Sequence, residues 1–84
     1  MYNVVFAARG AIRKKVMLAL DQPKTAQIIS KELKKDRSSV SRALIDLSAK
    51  KLVICENPDE KRYRFYRLTK EGKNVVEELK KLSL

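Results

Sequence analysis

The chain of 84 residues contains no histidine and a single cysteine, Cys55. Those two gaps remove a histidine proton shuttle, a Cys/His zinc centre and an internal disulfide. Its two glycines, Gly10 and Gly72, are too few and too scattered for a phosphate-cradling loop. With no nucleophile–base pair and no set of metal ligands, the sequence reads as a protein that is not an enzyme and carries no cofactor. Long apolar runs are missing as well. The longest are residues 4–8 and 16–20, short of a signal-peptide core and far short of a membrane span. The expectation is a soluble cytoplasmic protein with no membrane partner, whose lone thiol stays reduced.

Acidic residues are outnumbered, with 10 Asp and Glu against 20 Lys and Arg, so the net charge is +10 and the pI is near 10. Such a balance asks for a polyanionic partner: nucleic acid first, and with it a place on the nucleoid, then an anionic membrane surface. At 44% apolar and 36% charged the composition lies outside the disordered range, and 84 residues suffice for one core. The chain is therefore expected to fold as one basic domain over 1–84.

Two breaks organise the chain, Asp21-Gln22-Pro23 and Asn57-Pro58-Asp59. Residues 1–9 form an apolar segment, helix or strand, which Gly10 separates from the first helix. Ala11, Ile12, Val16, Ala19 and Leu20 recur at helical spacing and predict that helix over 11–20, with Arg13, Lys14 and Lys15 clustered opposite. Thr25 is an N-cap for a second helix over 25–34, whose stripe is Ala26, Ile29 and Leu33. Asp36 caps a third over 37–50. At about 100° per residue, Val40, Ala43, Leu44 and Leu47 share its buried side, and Ser38, Arg42, Ile45 and Ala49 point outward with Ser41 on the flank. From Leu52 the period becomes extended, and Leu52 to Cys55 and Tyr63 to Leu68 predict a hairpin over 52–68 with a basic far arm. Thr69 caps a last helix over 70–82, with Val75, Val76, Leu79 and Leu82 on one stripe.

Two closely spaced helices with a hairpin directly after them make a winged helix-turn-helix, a mostly α member of the α+β class. The stretch Asp36-Arg37-Ser38-Ser39-Val40-Ser41-Arg42-Ala43-Leu44, then Leu47, Leu52-Val53 and Leu68-Thr69-Lys70-Glu71-Gly72, resembles winged-helix transcriptional regulators of the MarR and ArsR type, especially compact archaeal ones. The resemblance covers roughly residues 9–80. Members of that family usually carry glycine at the ends of the second and third helices, where Lys34 and Lys51 stand here. A positive φ at either lysine would cost about 1 kcal/mol relative to glycine, partly offset by a cation at a helix C-terminus. Ile28 replaces the glutamate that often closes a capping box on the Thr25 position, and faces either the N-terminal segment or another subunit.

The outcome expected is a sequence-specific regulator that binds double-stranded DNA. Short polar side chains let a helix sit deep in the major groove, so Ser38, Ser39, Ser41 and Arg42 are the candidate base contacts, with Arg42 pairing bidentately to guanine. A plain solvated helix face is the alternative. Phosphate contacts are assigned to Thr25, Lys34, Lys35 and Arg37 and, in the wing, to Lys61, Arg62 and Arg64. Asp59 and Glu60 at the wing tip would be repelled by phosphate and keep the tip out of the minor groove. Arg13, Lys14 and Lys15 are read as the wet side of the first helix rather than a second phosphate patch. Tyr63, Phe65 and Tyr66 are read as packing residues rather than base-stacking platforms, with Tyr66 facing inward, and Cys55 as a small buried hydrophobe rather than a redox sensor. A homodimer is expected, one recognition helix per half-site, joined through the segment that opens with Tyr2 and closes with Ala8 and through the stripe Val75, Val76, Leu79 and Leu82. The rival functions are a protein-docking winged helix within a transcription or replication assembly, and a nonspecific binder of chromatin or RNA.

Overall fold

The computed structural model describes residues 10–82. Four helices, α1 (Ala11–Ala19), α2 (Ala26–Leu33), α3 (Arg37–Ala49) and α4 (Lys70–Leu82), surround three short strands, β1 (Lys24–Thr25), β2 (Val53–Cys55) and β3 (Phe65–Leu68). The strands form one antiparallel sheet in the order β1-β3-β2. This is the winged helix-turn-helix that the sequence pattern predicts, an α+β fold in which α2 and α3 make the motif and β2 and β3 the wing.

The caps form where the sequence places them. Thr25 Oγ1 accepts the Ile28 amide at 3.2 Å to open α2, the Asp36 carboxylate accepts the Ser39 amide at 3.0 Å to open α3, and Thr69 Oγ1 accepts the Gly72 amide at 3.0 Å to open α4. The ends of α2 and α3 are left-handed, with φ 55° at Lys34 and 60° at Lys51. Lysine therefore occupies both positions where glycine would be free of steric cost.

Gly72 is required for another reason. A Cβ there would run into the carbonyl oxygen of Leu52, against which the first turn of α4 is seated. Thr69 tightens the same junction, its amide donating to Leu52 O at 3.0 Å and its hydroxyl to Lys51 O at 2.7 Å. The Leu-Thr-x-x-Gly segment thus clamps α4 to the α3–β2 connection.

Val40, Ala43, Leu44 and Leu47 of α3 share one core with Val16, Met17 and Leu20 of the α1 region, Ile29 of α2, Leu52 and Val53, Leu68, and Val75, Val76 and Leu79 of α4. Ile12, Ala19, Ala26, Leu33 and Tyr66 pack around its edge. Tyr66 faces inward, as its parity with Leu68 predicts, while Phe65 is exposed.

Several expectations are corrected by this packing. Val75, Val76 and Leu79 are buried in the chain's own core, so these three positions of the α4 stripe are not a spare surface for a subunit interface. The segment from Tyr2 to Ala8 and the Leu82 side chain lie outside the described residues. On α1, Ala11 is exposed and Met17 is buried, because α4 covers the Met17 flank. Strand β1 is an addition: two residues hold no readable period, and Lys24 and Thr25 become a strand only by pairing with Tyr66 and Phe65. The far arm of the wing begins at Phe65, since Tyr63 has φ 56° and cannot lie in a ladder. Helices α1, α2 and α3 each stop one residue short of the expected end, at a cap residue that leaves helical geometry or closes the last turn.

Candidate nucleic-acid interface

Asp36 organises the start of α3. Its carboxylate accepts the Ser38 hydroxyl at 2.6 Å, the Ser39 hydroxyl at 2.8 Å and the Ser39 amide at 3.0 Å. These donors, the Ser38 hydroxyl foremost, hold the carboxyl at about 2, below its ordinary 3.8. Both serines spend their protons on Asp36, so toward an outside group their oxygens act as acceptors. Ser38 is exposed on the outward face. Ser39 is half-buried on the flank toward α1, in a hollow it shares with Ile12, Arg13 and Asp46.

Beyond the cap, the outward stripe of α3 runs through Ser38, Arg42, Ile45 and Ala49, all exposed, with Ile45 64% accessible. The Arg42 guanidinium has no ion-pair partner among the described residues. The carboxylate nearest along the helix, Asp46 one turn on, is engaged by Arg13 Nη2 at 3.2 Å. Arg13 and Lys14 are half-buried and only Lys15 is exposed, so the cationic run on α1 is not simply a wet face.

On the other flank, α3 and the wing enclose an open groove of about 300 Å³ at the start of α2. Arg37, Ser41, Lys61, Arg62 and Arg64 line it, with Thr25 among the lining residues. Thr25 is buried and its oxygen already accepts the α2 amide, so it supports the groove more than it reaches out. Arg64 has part of its guanidinium turned back, Nε donating to Glu60 O at 2.6 Å. Arg37 of α3 and Lys61, Arg62 and Arg64 of the wing thus line one groove with the half-buried Ser41 and Tyr66, a pattern suited to a polyanionic backbone.

The wing loop owes its shape to Asn57. Its Oδ1 accepts the Phe65 amide at 2.8 Å and its Nδ2 donates to Tyr63 O at 3.0 Å, while the Glu60 amide donates to Asn57 O at 3.1 Å. Cys55 Sγ lies 3.7 Å from the same Oδ1 and is half-buried rather than fully buried. Asp59 and Glu60 are exposed at the tip.

The fold therefore gathers Thr25, Arg37, Ser41, Lys61, Arg62 and Arg64 into one groove and sets Ser38 and Arg42 on the adjoining ridge. Lys34 and Lys35 are exposed in the turn before α3. Lys35 lines a hollow with Lys15 and Ser39 on the α1 side, away from the wing. Four residues that line the groove, Ala26, Gln27, Tyr63 and Tyr66, are not among the contacts assigned from the sequence, and two of them are exposed. Gln27 stands on the side of α2 opposite Ile29, a position the helical spacing does contain. Tyr63 is 68% exposed, which overturns its assignment to packing, and no turn-forming residue at 63 signals its left-handed backbone.

Among the described residues, no cluster of His, Cys, Asp and Glu is placed to hold a metal ion, and no helix is long and apolar enough to cross a membrane.

No protein-family model matches the chain, and no curated protein matches it. Solved structures do. A MarR/EmrR family transcriptional regulator from Acinetobacter sp. ADP1 superposes with a TM-score of 0.77 at 25% identity, over 88% of this chain and 54% of that one. Bordetella bronchiseptica BpsR, whose DNA binding is regulated by 6-hydroxynicotinic acid, gives a TM-score of 0.80 at 25% identity, over 87% and 58%. Lactococcus lactis ZitR, solved in complex with DNA, gives 0.71 at 22% identity, over 79% and 47%, a likeness of fold alone. The chain spans about half the length of these proteins, and its fold matches that of MarR-family winged-helix regulators.

Proposed function

We propose that the protein is a transcriptional regulator that binds double-stranded DNA sequence-specifically, with α3 in the major groove and the wing beside it. The observation that carries this reading is the outward side of α3: Ser38, Arg42 and Ile45 are uncovered, and the Arg42 guanidinium makes no ion pair among the described residues. A free planar guanidinium on a helix of small side chains suits bidentate recognition of guanine, worth about 1–3 kcal/mol of discrimination. The cations around the adjoining groove supply phosphate contacts, which set affinity and register. The names of the Acinetobacter and Bordetella neighbours, a transcriptional regulator and a protein with regulated DNA binding, support the same reading. As a homodimer the protein would set two copies of α3 about 34 Å apart on an inverted repeat.

Selection of bound sites from random duplexes, with titration of the selected site at several salt concentrations, tests the reading. A preferred sequence should emerge, with log affinity falling by about 0.9 per phosphate neutralised as log salt rises. Arg42→Ala should erase the preference at the guanine it contacts, whereas Lys61→Ala should weaken all duplexes alike and flatten the salt slope by about one. Equal affinity for the selected duplex, bulk DNA and RNA at one salt would instead identify a nonspecific binder. Identical behaviour of the two variants would refute the division between base and phosphate contacts.

A further inference from the structure

On α3, Val40, Ala43, Leu44 and Leu47 are all nearly or wholly inaccessible, yet Ile45, on the same helix, is 64% accessible. Its exposure comes from its angular position. Counting about 100° per residue, Ile45 lies on the stripe of Ser38, Arg42 and Ala49, away from the core. Ser38 and Ala49 on that side are short, and the longer Arg42 one turn back leaves Ile45 uncovered, so it stands as an aliphatic knob on the same stripe as the guanidinium. A β-branched side chain in a helix is held near one χ1 rotamer, which leaves little freedom to lose on contact.

We infer that Ile45 reads the 5-methyl group of a thymine one or two base pairs from the pair contacted by Arg42. The inference rests on the proposed DNA-binding function and deepens it. The thymine methyl is the apolar group that the bases present in the major groove, and an aliphatic side chain on a groove-facing helix is its complement. Three residues of helix advance about 4.5 Å, and stacked base pairs are about 3.4 Å apart, which gives the stated spacing. A protein-docking role fits less well. Ile45 is the one large aliphatic side chain on the stripe of Ser38, Arg42 and Ala49, with no aromatic anchor beside it there.

The test uses the selected duplex, with each thymine replaced in turn by deoxyuridine, which removes only the methyl group. At one position the wild-type protein should lose about fourfold in affinity, the worth of one buried methyl. Ile45→Ala should bind the thymine and uracil duplexes equally, and Ile45→Val should keep most of the difference. Circular dichroism should show both variants folded, since the side chain is outside the core. Indifference of the wild type to every replacement, or an unchanged thymine preference in Ile45→Ala, would overturn the inference while leaving a sequence-specific protein. Failure to select any preferred duplex would overturn both this inference and the reading beneath it.

Discussion

Arg13 on α1 reaches Asp46 on α3, Nη2 to Oδ2 at 3.2 Å, and so occupies the carboxylate that stands one turn beyond Arg42. The pair is partly exposed, so its direct worth to stability is at most about 1 kcal/mol. Its larger consequence is electrostatic: it engages a negative charge beside the face that the proposed function turns toward DNA.

Removing the Arg13 charge should therefore weaken DNA binding through Asp46. Arg13→Gln is expected to lower affinity for all duplexes by about three- to tenfold at low salt, through a newly unpaired carboxylate and an i,i+4 contact with Arg42. Asp46→Asn in the same chain should restore most of the loss, since the double variant has the wild-type net charge. Fluorescence anisotropy over the four-protein cycle measures the coupling. Without rescue, Arg13 would be acting on phosphate directly.

The N-cap of α3 should respond to acid. The unfolded chain takes up the Asp36 proton near 3.8 and the folded chain only at about 2, so the unfolded state binds more protons between those values. Stability supplied by this carboxylate is complete above about pH 4 and is lost as the pH falls through about 2. Thermal melts of wild type between pH 6 and pH 2 should show that loss. Asp36→Asn, which keeps a good N-cap but no charge, should start less stable and show a shallower decline. A residual slope should persist from Asp21, whose carboxyl is also held below its ordinary value by the hydrogen bond and charge of Lys24. Equal slopes in the two proteins would contradict the assignment.

The two left-handed lysines should separate stability from binding. Lys51→Gly and Lys34→Gly are each expected to stabilise the fold by about 1 kcal/mol in urea titrations, because glycine adopts positive φ without a Cβ clash. Lys34→Gly should also flatten the salt dependence of DNA binding by about one, as expected of a phosphate contact. Lys51→Gly should leave that slope unchanged. A loss of stability in both would show that the lysine stems pack for more than the backbone strain.

Much of this protein can be read along the chain because it is built from local devices. Thr25, Asp36 and Thr69 cap the helices they precede, and the spacing of Val40, Ala43, Leu44 and Leu47 fixes which side of α3 is buried. The left-handed backbone at Lys34 and Lys51 is not signalled by lysine itself; only the resemblance, in which glycine is usual at both places, raises it, and both have positive φ. Tyr63 resisted such reading because an aromatic near a strand pattern looks like a packing residue, and its backbone conformation depends on Asn57 holding the loop.

Periodicity, capping and charge, all properties of neighbours along the chain, determined the four helices, the wing and the outward stripe of α3. The tertiary structure alone decided where surfaces were used up. It buried Val75, Val76 and Leu79 of α4 in the core, set β1 against β3, and covered Met17 with α4. It also drew Asp46 to Arg13 and brought the wing cations round to face Arg37 and Ser41. Those outcomes depend on segments up to some sixty residues apart meeting in space, and hydrophobic burial and ion pairing act on proximity in space, whatever the distance along the chain.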